Sequence, residues 1–158
     1  MLWQWEVTGD QVTTEIEPAE GWMAGLSLQG RRTADAVAVE QSRHDLAGLV
    51  AAWVATVRRI ASAQGADYYD DYFGYLCWRD DIDEVVAALP EADASVVLKA
   101  VEPADVLFKD STFDDGGEAM TRLSFRIRTD RWYWRRVPVR GPIARSLGVE
   151  EARSPGEA

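Results

Sequence analysis

The sequence predicts an α+β fold: an antiparallel sheet, built from N-terminal strands and a C-terminal hairpin, packed against one long and several short helices. Three observations predict it. Apolar and polar residues alternate near both the start and the end of the chain, an apolar stripe at helical spacing runs from Leu46 to Ile60, and the composition is that of an ordinary globular protein. With 158 residues, 47% of them apolar and 28% charged, the chain is long enough to bury one sizeable core. A single α+β domain is expected over 1–147, followed by a flexible tail over 148–158 that contains Pro155 and Gly156.

The first strands follow from period-two alternation. Trp3, Trp5 and Val7 alternate with Gln4 and Glu6, and Val12, Thr14 and Ile16 alternate with Thr13, Glu15 and Glu17. A two-residue turn at Gly9-Asp10 sets Val7 opposite Val12, Trp5 opposite Thr14 and Trp3 opposite Ile16, so both apolar sets share one face. Trp22 to Leu28 reads as a third strand. Ala34 to Val39 reads as a fourth, although alternating Ala and Val also suits the start of a helix.

The long helix is expected over about 43–64. Ser42 and Asp45 form an approximate capping box, and Leu46, Leu49, Val50, Trp53, Val54, Val57 and Ile60 follow at helical spacing. Gly65 lies just past its end, and Arg58 and Arg59 suit the negative pole of its dipole. Ala66 to Tyr75 reads as a short helix or an aromatic loop. Asp81 is placed to cap a helix from Ile82 to Leu89, with Glu84 completing the box and Pro90 ending it. A further helix spans Glu91 to Val101, and Pro103 starts another turn through Lys109. Asp114-Asp115-Gly116-Gly117 is a turn. In the final hairpin, Leu123, Phe125 and Ile127 pair through a turn at Thr129-Asp130 with the strand that carries Trp132 and Trp134.

Much specialised chemistry lacks its residues. Cys77 is the single cysteine and His44 the single histidine, so an intramolecular disulfide and a thiolate zinc cluster are both excluded. His44 lies beside a helix cap and Cys77 in an aromatic segment, which gives neither the partner that a nucleophilic mechanism requires. Asp67, Asp70, Asp71, Asp80, Asp81, Asp83 and Glu84 are dense but match no calcium-loop spacing, and no phosphate-binding glycine loop occurs. No catalytic residue, metal or cofactor is therefore assigned. No signal-peptide pattern and no membrane-length apolar run are seen, so a cytoplasmic location is expected. Abundant Ala, Asp, Arg and Trp with few Lys give the composition of a GC-rich bacterial genome.

Charge is distributed unevenly. The chain carries 27 acidic and 17 basic side chains, a formal net charge of −10, yet residues 122–145 hold eight Arg against one Asp. The favoured reading is a non-catalytic acidic protein-binding module, an inhibitor or immunity-type protein that neutralises a basic protein partner. Its expected contact is Asp67, Tyr69, Asp70, Asp71 and Tyr72, extended by Asp80 and Asp81. There carboxylates would speed encounter with a cationic partner and tyrosines would anchor it. The same residues also suit an ordinary loop whose aromatics enter the core. One alternative is an enzyme or small-ligand binder with a Trp-lined pocket between the sheet and the long helix. Another is nucleic-acid binding through Arg126, Tyr133 and Arg135, a face opposed by the acidic body.

Overall fold

The long helix, α2, runs over Leu46–Ser62. All seven residues of its apolar stripe are buried, as their spacing predicts. Its cap is Asp45 rather than Ser42: the Gly48 amide donates to Asp45 Oδ1 at 2.8 Å. Ser42 instead closes the preceding helix, its hydroxyl donating to the Ala38 carbonyl at 2.7 Å, and Arg43 turns the chain with a left-handed φ of 64°. The coordinates are a computed structural model of the chain, and they describe residues 16–63, 67–123 and 125–149.

The preceding helix, α1, covers Leu28–Ser42 and corrects two strand expectations. Residues 22–25 form a 3-10 turn, and the Ala34 to Val39 segment lies inside the helix. The physical reason is the small-residue ridge Gly30, Ala34, Ala38, spaced by four and buried; it coincides with an alternation that also suits a strand. Ser27 caps the helix, accepting from the Gly30 amide at 2.9 Å. Asp93 in turn accepts from the Ser27 amide and hydroxyl, each at 2.8 Å.

Helix α3 is a single element over Tyr69–Ala87, where a short helix or aromatic loop and then a separate capped helix were expected. Tyr72, Leu76, Arg79, Ile82 and Val85 are its buried positions. Asp81 is therefore an interior residue, not a cap. Helix α4 spans Glu91–Asp110 and continues through Pro103, whose missing amide leaves one rung of the ladder unmade. Val97, Ala100, Val101, Ala104 and Phe108 keep one buried stripe on both sides of that proline.

Among the described residues the sheet has two antiparallel strands, β1 (Thr112–Asp114) and β2 (Arg136–Pro138), with Phe113 opposite Val137. The described chain is mostly helical with this small sheet, which makes the fold α+β. The turn at Asp114 to Gly117 is present: Asp114 and Asp115 accept from the amides of Gly116 and Gly117, both 2.8 Å, and lead into α5 (Glu118–Arg122). The expected 122–137 hairpin is not formed. Residues 125–128 carry no strand, and Trp132–Arg135 is a 3-10 turn leading into β2. Thr129-Asp130 is a weak hairpin turn, and the segment after it pairs with β1 instead. Helix α6 (Pro142–Ser146) follows. The N-terminal hairpin expected over residues 3–16 falls, apart from Ile16, outside the described residues, as does the tail beyond Val149.

The chain divides into two compact units, Met1–Arg58 with Trp78–Val106, and Arg59–Cys77 with Leu107–Ala158. The core of the first includes Leu49, Trp53, Val57, Ile82, Val97 and Val101. The core of the second includes Tyr72, Leu76, Phe108, Met120, Tyr133 and Trp134. Among the described residues, no helix is long and apolar enough to cross a membrane.

Candidate functional site

In the second unit, the Asp67 to Tyr72 segment divides between structure and surface. Asp67 is buried and forms an ion pair with Arg59 Nε, which raises the Arg59 pKa. Burial, and then the negative charge of Asp67, raises the neighbouring Tyr75 hydroxyl. Tyr72 is fully buried and donates its hydroxyl to the Arg136 carbonyl, so burial lifts its pKa well above the usual phenol value. Tyr69 is half-buried, with its ring edge-on to Phe125 at 5.8 Å. Asp70 and Asp71 are exposed; Asp71 Oδ2 accepts from the Tyr68 amide at 2.8 Å and steadies the first turn of α3. Of the expected contact, Asp70 and Asp71 thus present their carboxylates to solvent, while Asp67 and Tyr72 are committed to the fold.

Asp80 and Asp81 belong to the first unit and are half-buried. Asp81 has its pKa pushed up to about 6, first by burial and then by the charges of Asp80 and Glu84. Its interior position explains the strain. A cap would have received amide hydrogen bonds, whereas a mid-helix carboxylate one turn from Glu84 meets a like charge. The sequence alone carried the signal in the run Asp80-Asp81-Ile82-Asp83-Glu84, but it was assigned to a helix start.

Sequence reasoning also missed a buried polar cluster in the first unit. Arg79 is 3% exposed. Its Nε and Nη2 donate to Asp105 at 3.1 and 3.0 Å, and its Nη1 donates to Asp83 at 2.6 Å. Asp105 Oδ1 also accepts from Trp53 Nε1 at 2.9 Å. Burial opposes the charge on Arg79, but the two carboxylates outweigh it and the pKa is raised. Only the Arg79 to Asp83 spacing of four hinted at this cluster.

The secondary candidate face is not assembled as expected. Arg126 and Arg135 are exposed, but Tyr133 is fully buried. The 3-10 turn buries the adjacent residues Tyr133 and Trp134, where a strand would have sent them to opposite faces. Trp132 is half-buried against Phe108, with Lys109 Nζ 4.5 Å above its ring. His44 is exposed and edge-on to Trp78 at 5.3 Å, and Cys77 is half-buried. Among the described residues, no group of three or more His, Cys, Asp or Glu side chains is arranged to hold a metal ion.

A groove of about 480 Å³ lies in the first unit, between residues 17–22 and the exposed side of α2. Among the described residues, Trp22 is the tryptophan that lines it, facing the helical wall of α2; the N-terminal strands of the expected Trp-lined pocket lie outside the described residues. The chain matches no protein-family model, and comparison with curated proteins and with solved structures finds no match.

Proposed function

We propose that the chain is a non-catalytic acidic protein-binding module that neutralises a basic protein partner, in the manner of an inhibitor or immunity-type protein. The observation that carries the reading is where the charge resides. Among the described residues, the first unit has 13 acidic and 6 basic side chains, against 8 and 10 in the second. Asp80, Asp81 and Glu84 gather that imbalance on one stretch of α3, where burial and then the charges of Asp80 and Glu84 push the Asp81 carboxyl up. A cationic side chain brought by a partner would relieve that repulsion and steer encounter. The working surface is therefore assigned to Asp80 and Asp81 with Glu84, and Asp70 and Asp71 are the exposed carboxylates of the expected contact in the second unit.

The test is to co-express the chain with the product of the adjacent gene, since an inhibitor is commonly encoded beside its target. A stable complex whose formation suppresses the partner's activity, and which the Asp80→Asn, Asp81→Asn double change weakens at low salt, is the expected result. A complex indifferent to that change would contradict the assignment of the surface.

A further inference from the structure

Helix α2 is apolar on every side for three turns. From Leu46 to Val57 it carries no charged residue, and its most polar side chain there, Thr56, is buried. A helix of that composition is ordinarily covered all round. Yet Ala47, Ala51 and Ala55, spaced by four, are exposed and form one wall of the groove, with Trp22 on the opposite side. From Ala47 to Arg58 the wall is about 17 Å long at 1.5 Å per residue, three turns of helix. Methyl side chains let another helix approach at the short end of the usual 8–10 Å interaxial range. The rim is polar: Arg58 Nη2 is 3.0 Å from Glu17 Oε1, and Glu20 is exposed beside it.

We infer that this groove seats an amphipathic helix of the basic partner, with leucine-like residues at i, i+3, i+4 and i+7 against α2 and lysine or arginine on its flanks. The inference rests on the acidic-module reading and adds to it the element the partner supplies. Charge complementarity selects the occupant. The excess of acidic over basic side chains in this unit, with exposed Glu20 on the rim beside the Arg58–Glu17 pair, attracts cationic flanks. A second copy of the chain would bring the same negative field against itself.

The probe is a fluorescently labelled synthetic peptide of leucine and lysine in that helical pattern, read by anisotropy with the full chain. A peptide of identical composition in scrambled order is its control. Ala51→Glu, at an exposed helix position, is the deciding variant, with Ala47→Glu as a second should the first fail to fold by circular dichroism. Both add negative charge, so an unspecific electrostatic complex would tighten. A groove-seated helix is expected to bind about 10-fold more weakly or worse, a loss of about 1.4 kcal/mol.

Unchanged or tighter binding by the folded Glu variants overturns the inference, as does equal binding of the scrambled peptide. No binding to the unaltered chain also overturns it, since the groove would then be closed by other means. So does a dimer that Ala51→Glu dissociates, because the occupant would be a second copy. If the Asp80→Asn, Asp81→Asn, Glu84→Gln variant loses the peptide while the groove variants keep it, the acidic-module reading stands and the groove assignment fails.

Discussion

Asp105→Ala is the sharpest perturbation of the first unit. The Asp105 carboxylate accepts three hydrogen bonds, two from Arg79 and one from Trp53 Nε1. The Arg79 side chain is only 4% exposed, so removing Asp105 strips a buried guanidinium of its larger counter-charge and leaves Asp83 across the turn. Breaking one side of a buried ion pair costs about 3–5 kcal/mol. Trp53→Phe removes the indole N–H bond and a little volume, about 1–2 kcal/mol. Trp53→Ala empties a fully buried site and should cost about 3–5 kcal/mol. Urea unfolding of each variant, extrapolated linearly to water, gives the comparison. Trp53→Phe and Asp105→Ala share one carboxylate oxygen, so their double variant should lose less than the sum of the singles by about 0.5 kcal/mol or more. A loss below about 1 kcal/mol for Asp105→Ala would refute the reasoning, because Asp83 would then suffice to satisfy the buried guanidinium.

Further outcomes follow from the same geometry. Asp81 titrates at about 6 in the fold against 3.8 ordinarily, so its ionised form costs stability above pH 6, and the cost fades as the pH falls toward 4. Asp81→Asn should raise the melting temperature at pH 7 and leave it unchanged near pH 4; the rise is worth at most about 3 kcal/mol, and about 1 once solvent screening of a half-exposed group is allowed for. Asp93 works in the opposite direction: the Ser27 amide and then its hydroxyl hold the carboxyl below its usual range, so its contribution is present at neutral pH and is lost on acidification, a loss Asp93→Asn should abolish in pH-dependent melts. Gly30→Ala should destabilise by about 1–3 kcal/mol in thermal unfolding, because a Cβ there would lie 2.2 Å from an Asp93 oxygen already tied to Ser27. Tyr72→Phe should cost about 1–2 kcal/mol by losing its bond to the Arg136 carbonyl, whereas the exposed pair Asp70→Asn, Asp71→Asn should change unfolding by less than about 1 kcal/mol.

The legible parts of the fold were those with one dominant signal. The α2 stripe had no competing period, and all seven of its predicted core residues are buried. The Asp114 to Gly117 turn was equally plain, since two Asx side chains and two left-handed glycines have few other uses. Misreadings arose where two periods coincided or where a local stop signal was overridden. Ala34 to Val39 satisfies a strand and a helix alike, and it is the ridge Gly30, Ala34, Ala38, capped by Ser27, that the helix buries. Pro103 marked a helix start by its local chemistry, but a continuous apolar stripe from Val97 to Phe108 outweighs one missing hydrogen bond. In the candidate site, Asp70 and Asp71 were placed on the surface correctly by their charge. Asp67 and Tyr72 were not separable from them in sequence, because their burial depends on Arg59 and on the Arg136 carbonyl, 64 residues beyond Tyr72. Tyr133 was assigned outward by strand alternation, which a 3-10 turn does not obey.

The measurement closest to the central claim is the affinity of the chain for a defined polycation, poly-lysine, at low and at physiological salt. It compares Asp80→Asn, Asp81→Asn, Glu84→Gln with a control that neutralises three exposed carboxylates elsewhere on the same unit, Glu40→Gln, Glu91→Gln and Glu102→Gln. Both variants remove the same formal charge, so a diffuse attraction weakens equally in the two. A localised acidic surface on α3 predicts a loss of about 10-fold or more for the first variant at low salt, a much smaller loss for the control, and a difference that shrinks as salt screens it. Equal losses in the two variants would contradict the account.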